Sequence, residues 1–174
     1  MLKTKIAVFV SGGGTNFEAL INAQENGKIP HGEIVLMVSS SKTAYALKRA
    51  ENHGIKSVVC SKKELGSQES FEEEILKNLE ENDIQLIVLA GFMSILSKEF
   101  TKKYENRIIN IHPSLIPSFC GEGFYGLHVH EAALKKGVKV TGATVHIVNE
   151  IPDGGPIIMQ RAVYVEENDT PEIL

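Results

Sequence analysis

Two short runs in this chain bring together an amide, an imidazole and a carboxylate. Asn-Ile-His-Pro-Ser-Leu-Ile-Pro occupies 110–117 and Asp-Gly-Gly occupies 153–155, so Asp153 follows His112 by 41 positions (153 − 112). Such a set can hold a developing oxyanion and move protons. Residues two apart on a strand share a face, so in the run 107–112 the Asn110 and His112 side chains project side by side. Pro113 has no N–H to give a ladder and biases the residue before it towards extended backbone. The strand is therefore expected to end at His112, with both polar groups at its carboxyl edge, where ligands bind in an open parallel sheet. Taken alone, Asn-x-His reads more simply as a turn-capping amide beside an ordinary hydrogen-bonded histidine. The surrounding sequence decides.

The elements that must position these groups alternate β-branched apolar runs with stretches of helical period. Strands are expected at 5–10, 34–39, 57–60, 85–90 and 107–111, several apolar on both faces as buried parallel strands require. The clearest helix runs from Ser67 to Asn82, with Phe71, Ile75 and Leu79 four apart and the glutamates facing outward. After Gly137 the pattern changes to two alternating runs, 138–148 and 157–165, joined by the turn Pro152-Asp153-Gly154-Gly155. They read as antiparallel strands at a sheet edge. With 174 residues the chain is expected to form one domain over 1–174, an α/β fold with an open, doubly wound, mostly parallel sheet.

A formal charge of −4 provides no basic footprint, so no nucleic-acid partner is expected. The first apolar stretch is shorter than a signal-peptide core and no run approaches a membrane span, which points to a cytoplasmic protein without a membrane partner. Cys60 and Cys120 have no paired spacing and read as reduced bystanders. Ser-Gly-Gly-Gly-Thr-Asn at 11–16 follows the first strand and opens a helix faced by Phe17, Leu20 and Ile21. Glycines there bring backbone N–H groups and a helix N-terminus to an anion, most simply a phosphate. The run lacks the third glycine of the dinucleotide fingerprint, where Phe17 stands, and the Gly-Lys-Ser/Thr of a P-loop. A tight turn capped by Thr15 or Asn16 is the bland alternative.

Leu89-Ala90-Gly91-Phe92-Met93 ends the fourth strand, so its backbone is expected to line the same cleft as Asn110, although Phe92 and Met93 suit a core equally well. His128, His130 and Glu131 form a short cluster, but helical positions two apart face apart and no third ligand is evident, so no metal is expected. His146 lies in the strand before the Asp153 turn and reads as a sheet histidine able to support that carboxylate.

SGGGTN, LAGFM, NIHPSLIP, TGATVHIV and PDGGPII, in this order and at this spacing, closely resemble the phosphoribosylglycinamide formyltransferases, over nearly the whole chain. NIHPSL and DGGPI are shared across formyltetrahydrofolate-dependent enzymes, whereas SGGGTN points to the glycinamide ribonucleotide branch. The resemblance implies a Rossmann-like formyltransferase fold, 10-formyltetrahydrofolate as formyl donor, and glycinamide ribonucleotide as acceptor in purine biosynthesis. Both would be small-molecule partners of a monomer or homodimer. It implies Gly13, Gly14, Thr15 and Asn16 at the substrate phosphate. Met93, Ser94, Ile95 and Leu96, with Asn110 and the loop Asn149, Glu150, Ile151, Pro152 and Asp153, would surround the folate. Asn110, His112 and Asp153 match the family's catalytic trio, with His146 behind them. His112 as imidazolium would donate to the oxyanion, Asp153 would favour that charged form, and Asn110 would be the neutral donor.

The chain departs from the family pattern in three places. Cys120 to Gly126 make a longer loop after the NIHPSLIP motif. Gln68 stands where many members carry a phosphate-gripping arginine, so that contact would be weaker here or come from Lys62 or Lys63. Ser94 replaces a frequent arginine after LAGFM. Asp169-Thr170-Pro171-Glu172 reads as a helix start, and the resemblance implies that a C-terminal helix follows it and is missing from 1–174. The rival readings are a formyltetrahydrofolate hydrolase or another amine formyltransferase, which would be expected to carry extra domains, and a non-catalytic ligand-binding module.

Overall fold

The computed structural model describes residues 2–174. Strands β1 (Thr4–Val10), β2 (Gly32–Ser39), β3 (Lys56–Val59) and β4 (Leu86–Leu89) are interleaved with helices α1 (Thr15–Glu25), α2 (Ala46–Asn52), α3 (Lys62–Leu65) and α4 (Gln68–Glu81). Helix α5 (Lys98–Lys103), strand β5 (Ile108–His112), helix α6 (Leu127–Lys136) and strands β6 (Val140–Ile147) and β7 (Ile157–Tyr164) complete the chain. It packs as two compact units, one ending at Ile108 and the other running from Ile109 to Leu174.

In the first unit the strands lie in the order β3-β2-β1-β4, every pair parallel. Both faces of β1 are covered, which is why Ile6 to Val10 is apolar without alternation. Ile6, Val8 and Val10 join Phe17 and Ile21 of α1 and Ala46 and Ala50 of α2 in one buried cluster. From the opposite side Phe9 meets Phe92 edge-on at 5.2 Å, and Phe92 stacks on Phe71 of α4 at 6.5 Å. The sheet of this unit is therefore doubly wound, as the sequence pattern implies. Helix α4 has the expected extent: Ser67 is its N-cap, its hydroxyl accepting from the Ser70 N–H, and Phe71, Ile75 and Leu79 are fully buried.

In the second unit β5 pairs antiparallel with β6, and β6 with β7. The strand ends at His112, where Pro113 stops it. Strand β7 is exposed along its whole length, as befits the outermost strand of this unit. The α/β class, mostly parallel with antiparallel strands towards the C-terminus, is as expected. The helix start expected at 169–172 is a single hydrogen-bonded turn among the described residues. Asp169 accepts from the Glu166 N–H at 2.8 Å and so closes the preceding turn, while Leu174 N–H reaches the Thr170 carbonyl at 3.0 Å in a single helical turn. Among the described residues no helix is long and apolar enough to cross a membrane.

Because α4 supplies much of one apolar layer, Leu79→Ala is expected to lower unfolding free energy by about 2–5 kcal/mol, and Ser67→Ala by about 1 kcal/mol. Urea titration of both variants reads the difference.

Candidate active site

Pairing register sets the polar cluster of the second unit. Asn110 stands opposite His146 across β5 and β6, and His112 stands opposite Thr144. All four side chains share one face, since each strand contributes residues two apart. The Asn110 amide Nδ2 lies 3.2 Å from His146 Nε2. His146, 2% exposed, donates from Nδ1 to the Ile147 carbonyl at 2.8 Å, which leaves Nε2 facing Asn110 and, at 3.5 Å, Asp153 Oδ1. His112, 4% exposed, has Nδ1 3.5 Å from Asp153 Oδ2 and donates from Nε2 to the Phe119 carbonyl at 2.8 Å. One carboxylate thus sits between two buried imidazoles.

Asp153 reaches that place through a strained turn. Its φ of 54° is left-handed, a conformation that aspartate tolerates better than most residues. Asn149 Oδ1 accepts the Ile151 N–H at 3.0 Å, and Gly154 N–H closes on the Ile151 carbonyl at 2.9 Å. Gly155 lies so close to the Ile147 carbonyl that a Cβ there would overlap it, which is the physical content of the Asp-Gly-Gly motif. Burial pushes the Asp153 carboxyl up. The hydrogen bond with His146, that from the Gly121 N–H at 2.9 Å, and the charges of His112 and His146 outweigh it and hold the group below its usual value.

The loop after Pro113 is bolted to the strands. Thr144 Oγ1 donates to the Ser114 carbonyl at 2.7 Å and accepts from Ile116 N–H and Gln160 Nε2. The longer loop noted in the sequence therefore begins as a fixture: Phe119 carbonyl and Gly121 N–H hold His112 and Asp153, and Cys120 Sγ donates to the Pro117 carbonyl at 3.3 Å. Burial and then the Asp153 charge raise the Cys120 thiol, and burial with the Glu74 charge pushes Cys60 up to about 11, so neither favours a reactive thiolate.

The remaining folate-loop candidates of this unit, Glu150, Ile151 and Pro152, are exposed. His128 pairs with Glu131 on the surface at 2.9 Å, while His130 keeps a buried Nδ1 without a hydrogen-bond partner. Burial, then the charge of His112, lowers the His130 imidazole. Among the described residues no three His, Cys, Asp or Glu side chains are grouped to hold a metal.

In the first unit the glycine loop ends in Gly14, left-handed at φ 72°, which is the N-cap of α1 and has no side-chain cap. Thr15 and Asn16 are the first helical residues rather than caps, and both are exposed. The first-turn N–H groups are thus open to an anion. Ser11 links this loop to the other candidate loop of the unit. Its Oγ accepts the Met93 N–H at 2.8 Å and bonds Ser40 Oγ at 2.6 Å, while its N–H donates to the Gly91 carbonyl at 3.0 Å. Met93 and Ile95 are exposed, whereas the Leu96 side chain is buried and can offer a ligand only its backbone.

Gln68 does not face an anion freely. Its Nε2 donates to Glu72 Oε1 at 2.5 Å and to the Ile95 carbonyl at 3.1 Å, and the same Glu72 carboxylate takes the Ser97 N–H and hydroxyl. Gln68 therefore fixes the 93–97 loop. No motif in the sequence signals Phe119 or Gly121, which act through a backbone carbonyl and a backbone N–H.

Residues 4–174 match the model of a family described as formyl transferase. The Bacillus subtilis phosphoribosylglycinamide formyltransferase is 39% identical over 98% of this chain and 84% of its own length. A chicken trifunctional purine biosynthetic protein, adenosine-3, is 48% identical over 99% of this chain, which spans only 17% of that protein. The crystal structure of the Bacillus halodurans phosphoribosylglycinamide formyltransferase superposes with a TM-score of 0.89 at 41% identity, over 97% of this chain and 84% of that one. The chain belongs to the formyl transferase family, among the phosphoribosylglycinamide formyltransferases.

Proposed function

We propose that the chain transfers the formyl group of 10-formyltetrahydrofolate to the amino group of 5-phosphoribosylglycinamide. Both are small-molecule substrates, no metal takes part, and the reaction is a step of purine biosynthesis in the cytoplasm. The observation that supports this reading best is the Asp153 carboxylate between the His112 and His146 imidazoles, with the Asn110 amide on the same face. Acyl transfer to an amine needs a donor to the oxyanion and a route for the proton that the amine loses.

In this reading the amine attacks the formyl carbon, the carbonyl oxygen becomes an oxyanion, and Asn110 donates to it. His112 with Asp153 relays the proton that the amine loses to the folate nitrogen, which leaves as the oxyanion collapses and the bond between that nitrogen and the formyl carbon breaks. The Nε2–H of His112 is now held by the Phe119 carbonyl, so the substrate must replace that acceptor. Phe119 is the residue of this contact with a left-handed backbone, φ 48°, and its peptide is the part expected to yield. Asn149 to Asp153 and Met93 to Leu96 would line the pterin. Gly13 to Asn16 would take the ribonucleotide phosphate through their N–H groups.

Absorbance-monitored loss of 10-formyltetrahydrofolate tests the proposal: turnover that requires glycinamide ribonucleotide supports it, whereas loss without the ribonucleotide indicates a hydrolase and sinks it. Asp153→Asn is expected to reduce kcat by about 10²–10⁴-fold, and Asn110→Ala by about 10²–10³-fold, with unchanged circular dichroism. Since Asp153 is held below its ordinary carboxylate value, the carboxylate persists through neutral pH. The acid limb of the pH–rate profile is therefore expected to reflect a group other than Asp153, and a carboxyl titration above pH 5 in carbon NMR that is absent from Asp153→Asn would contradict this. Gly14→Val, which must adopt a left-handed φ against Ala46, is expected to raise the ribonucleotide KM while leaving the folate KM unchanged.

A further inference from the structure

Helix α2 grips the glycine loop at two successive carbonyls. Ala46 N–H donates to the Gly12 carbonyl at 3.2 Å, and Arg49 Nε donates to the Gly13 carbonyl at 2.9 Å. In a planar trans peptide the C=O and the next N–H point in opposite directions. Drawing the carbonyls of 12 and 13 towards α2 therefore turns the N–H groups of Gly13 and Gly14 to the other side, where they join the uncapped first turn of α1 in one concave set of donors. Gly14 is buried against this clamp: a Cβ there would lie 2.8 Å from Ala46 Cβ and 3.5 Å from Arg49 Cδ.

Arg49 is itself held on three sides. Its Nη1 lies 3.1 Å from Glu18 Oε2, its guanidinium lies 5.1 Å from the centroid of the Tyr45 ring, and its Nε takes the loop carbonyl. Glu18 is held in turn by His53 Nε2 at 3.2 Å, and His53 Nδ1 reaches Glu25 Oε1 at 2.8 Å. A guanidinium that donates to a carbonyl, pairs by charge with a carboxylate and lies over a ring at once does what the ammonium of lysine cannot. The Arg49 charge is balanced by Glu18, so what the pair contributes to an anion is geometry rather than net charge.

We propose that Arg49, oriented by Glu18, is a positioning residue for the substrate phosphate: it holds the Gly13 carbonyl so that the Gly14 N–H faces the anion. The inference rests on the reading of residues 13–16 as the phosphate loop, and names how that loop is kept in its binding form. It makes a prediction opposite in sign to simple charge counting. Glu18→Gln removes a negative charge from the neighbourhood of an anion and frees a cation, yet the brace requires it to weaken phosphate binding.

The test uses Arg49→Lys and Glu18→Gln, with Lys48→Ala on the solvent side of α2 as control. Inorganic phosphate affinity is measured by titration calorimetry, alongside the KM of both substrates. The expected result is a rise of about tenfold in the ribonucleotide KM and the phosphate Kd for Arg49→Lys and Glu18→Gln, the scale of one hydrogen bond to a charged group. The folate KM and the control are expected to stay within about twofold, below the span of one such bond. Unchanged or tighter phosphate binding in Glu18→Gln, an equal rise in the folate KM, or a wild type that binds no phosphate overturns the proposal. Wild-type phosphate binding without ribonucleotide-dependent turnover sinks the formyl-transfer reading alone, and the phosphate titration of the variants still decides the brace.

Discussion

A carboxylate taken out of water costs several kcal/mol unless partners replace the lost solvent, and much of the second unit is arranged around meeting that cost for Asp153. Two imidazoles and the Gly121 N–H surround it. Each partner is fixed from elsewhere: His146 by its own strand's Ile147 carbonyl, His112 by the Phe119 carbonyl, and Gly121 by a loop that Thr144 anchors through Ser114 and Ile116. The left-handed backbone at Asp153 and the glycine crowded against Ile147 follow from the same demand, because the turn has to fold back over β6 to deliver the carboxylate.

Much of this layout is legible in local sequence. Period and propensity mark β1, β2, α4 and β5, Ser67 marks a cap, and Pro113 marks the end of the strand that carries Asn110 and His112. Their common face follows from a period of two. The order of strands in a sheet and the register between them are set by contacts far apart in the chain, which no local pattern encodes. The stance of His146 directly opposite Asn110 is therefore a structural result, although its neighbourhood with Asp153 was readable from the turn between β6 and β7. Backbone partners are hidden for the same reason: neither the Phe119 carbonyl nor the Gly121 N–H leaves a mark in residue types. Gly14 shows the limit from another side, since a glycine before Thr-Asn fits both a side-chain-capped turn and an open helix end, and only the backbone angle separates them.

The proton balance of the cluster constrains what Asn110 can do. His146 Nδ1 must carry a hydrogen because its partner is a carbonyl, so a neutral His146 offers a bare Nε2 lone pair, which accepts from the Asn110 amide but repels the nearby Asp153 oxygen. A protonated His146 reverses both relations: Nε2–H favours Asp153, and Asn110 must then present its oxygen, turning its NH₂ away from the ring. In the second arrangement both amide hydrogens are free for an incoming oxygen, whereas in the first one of them is spent on the imidazole. The protonation of a buried histidine thus sets how many donor hydrogens Asn110 has free.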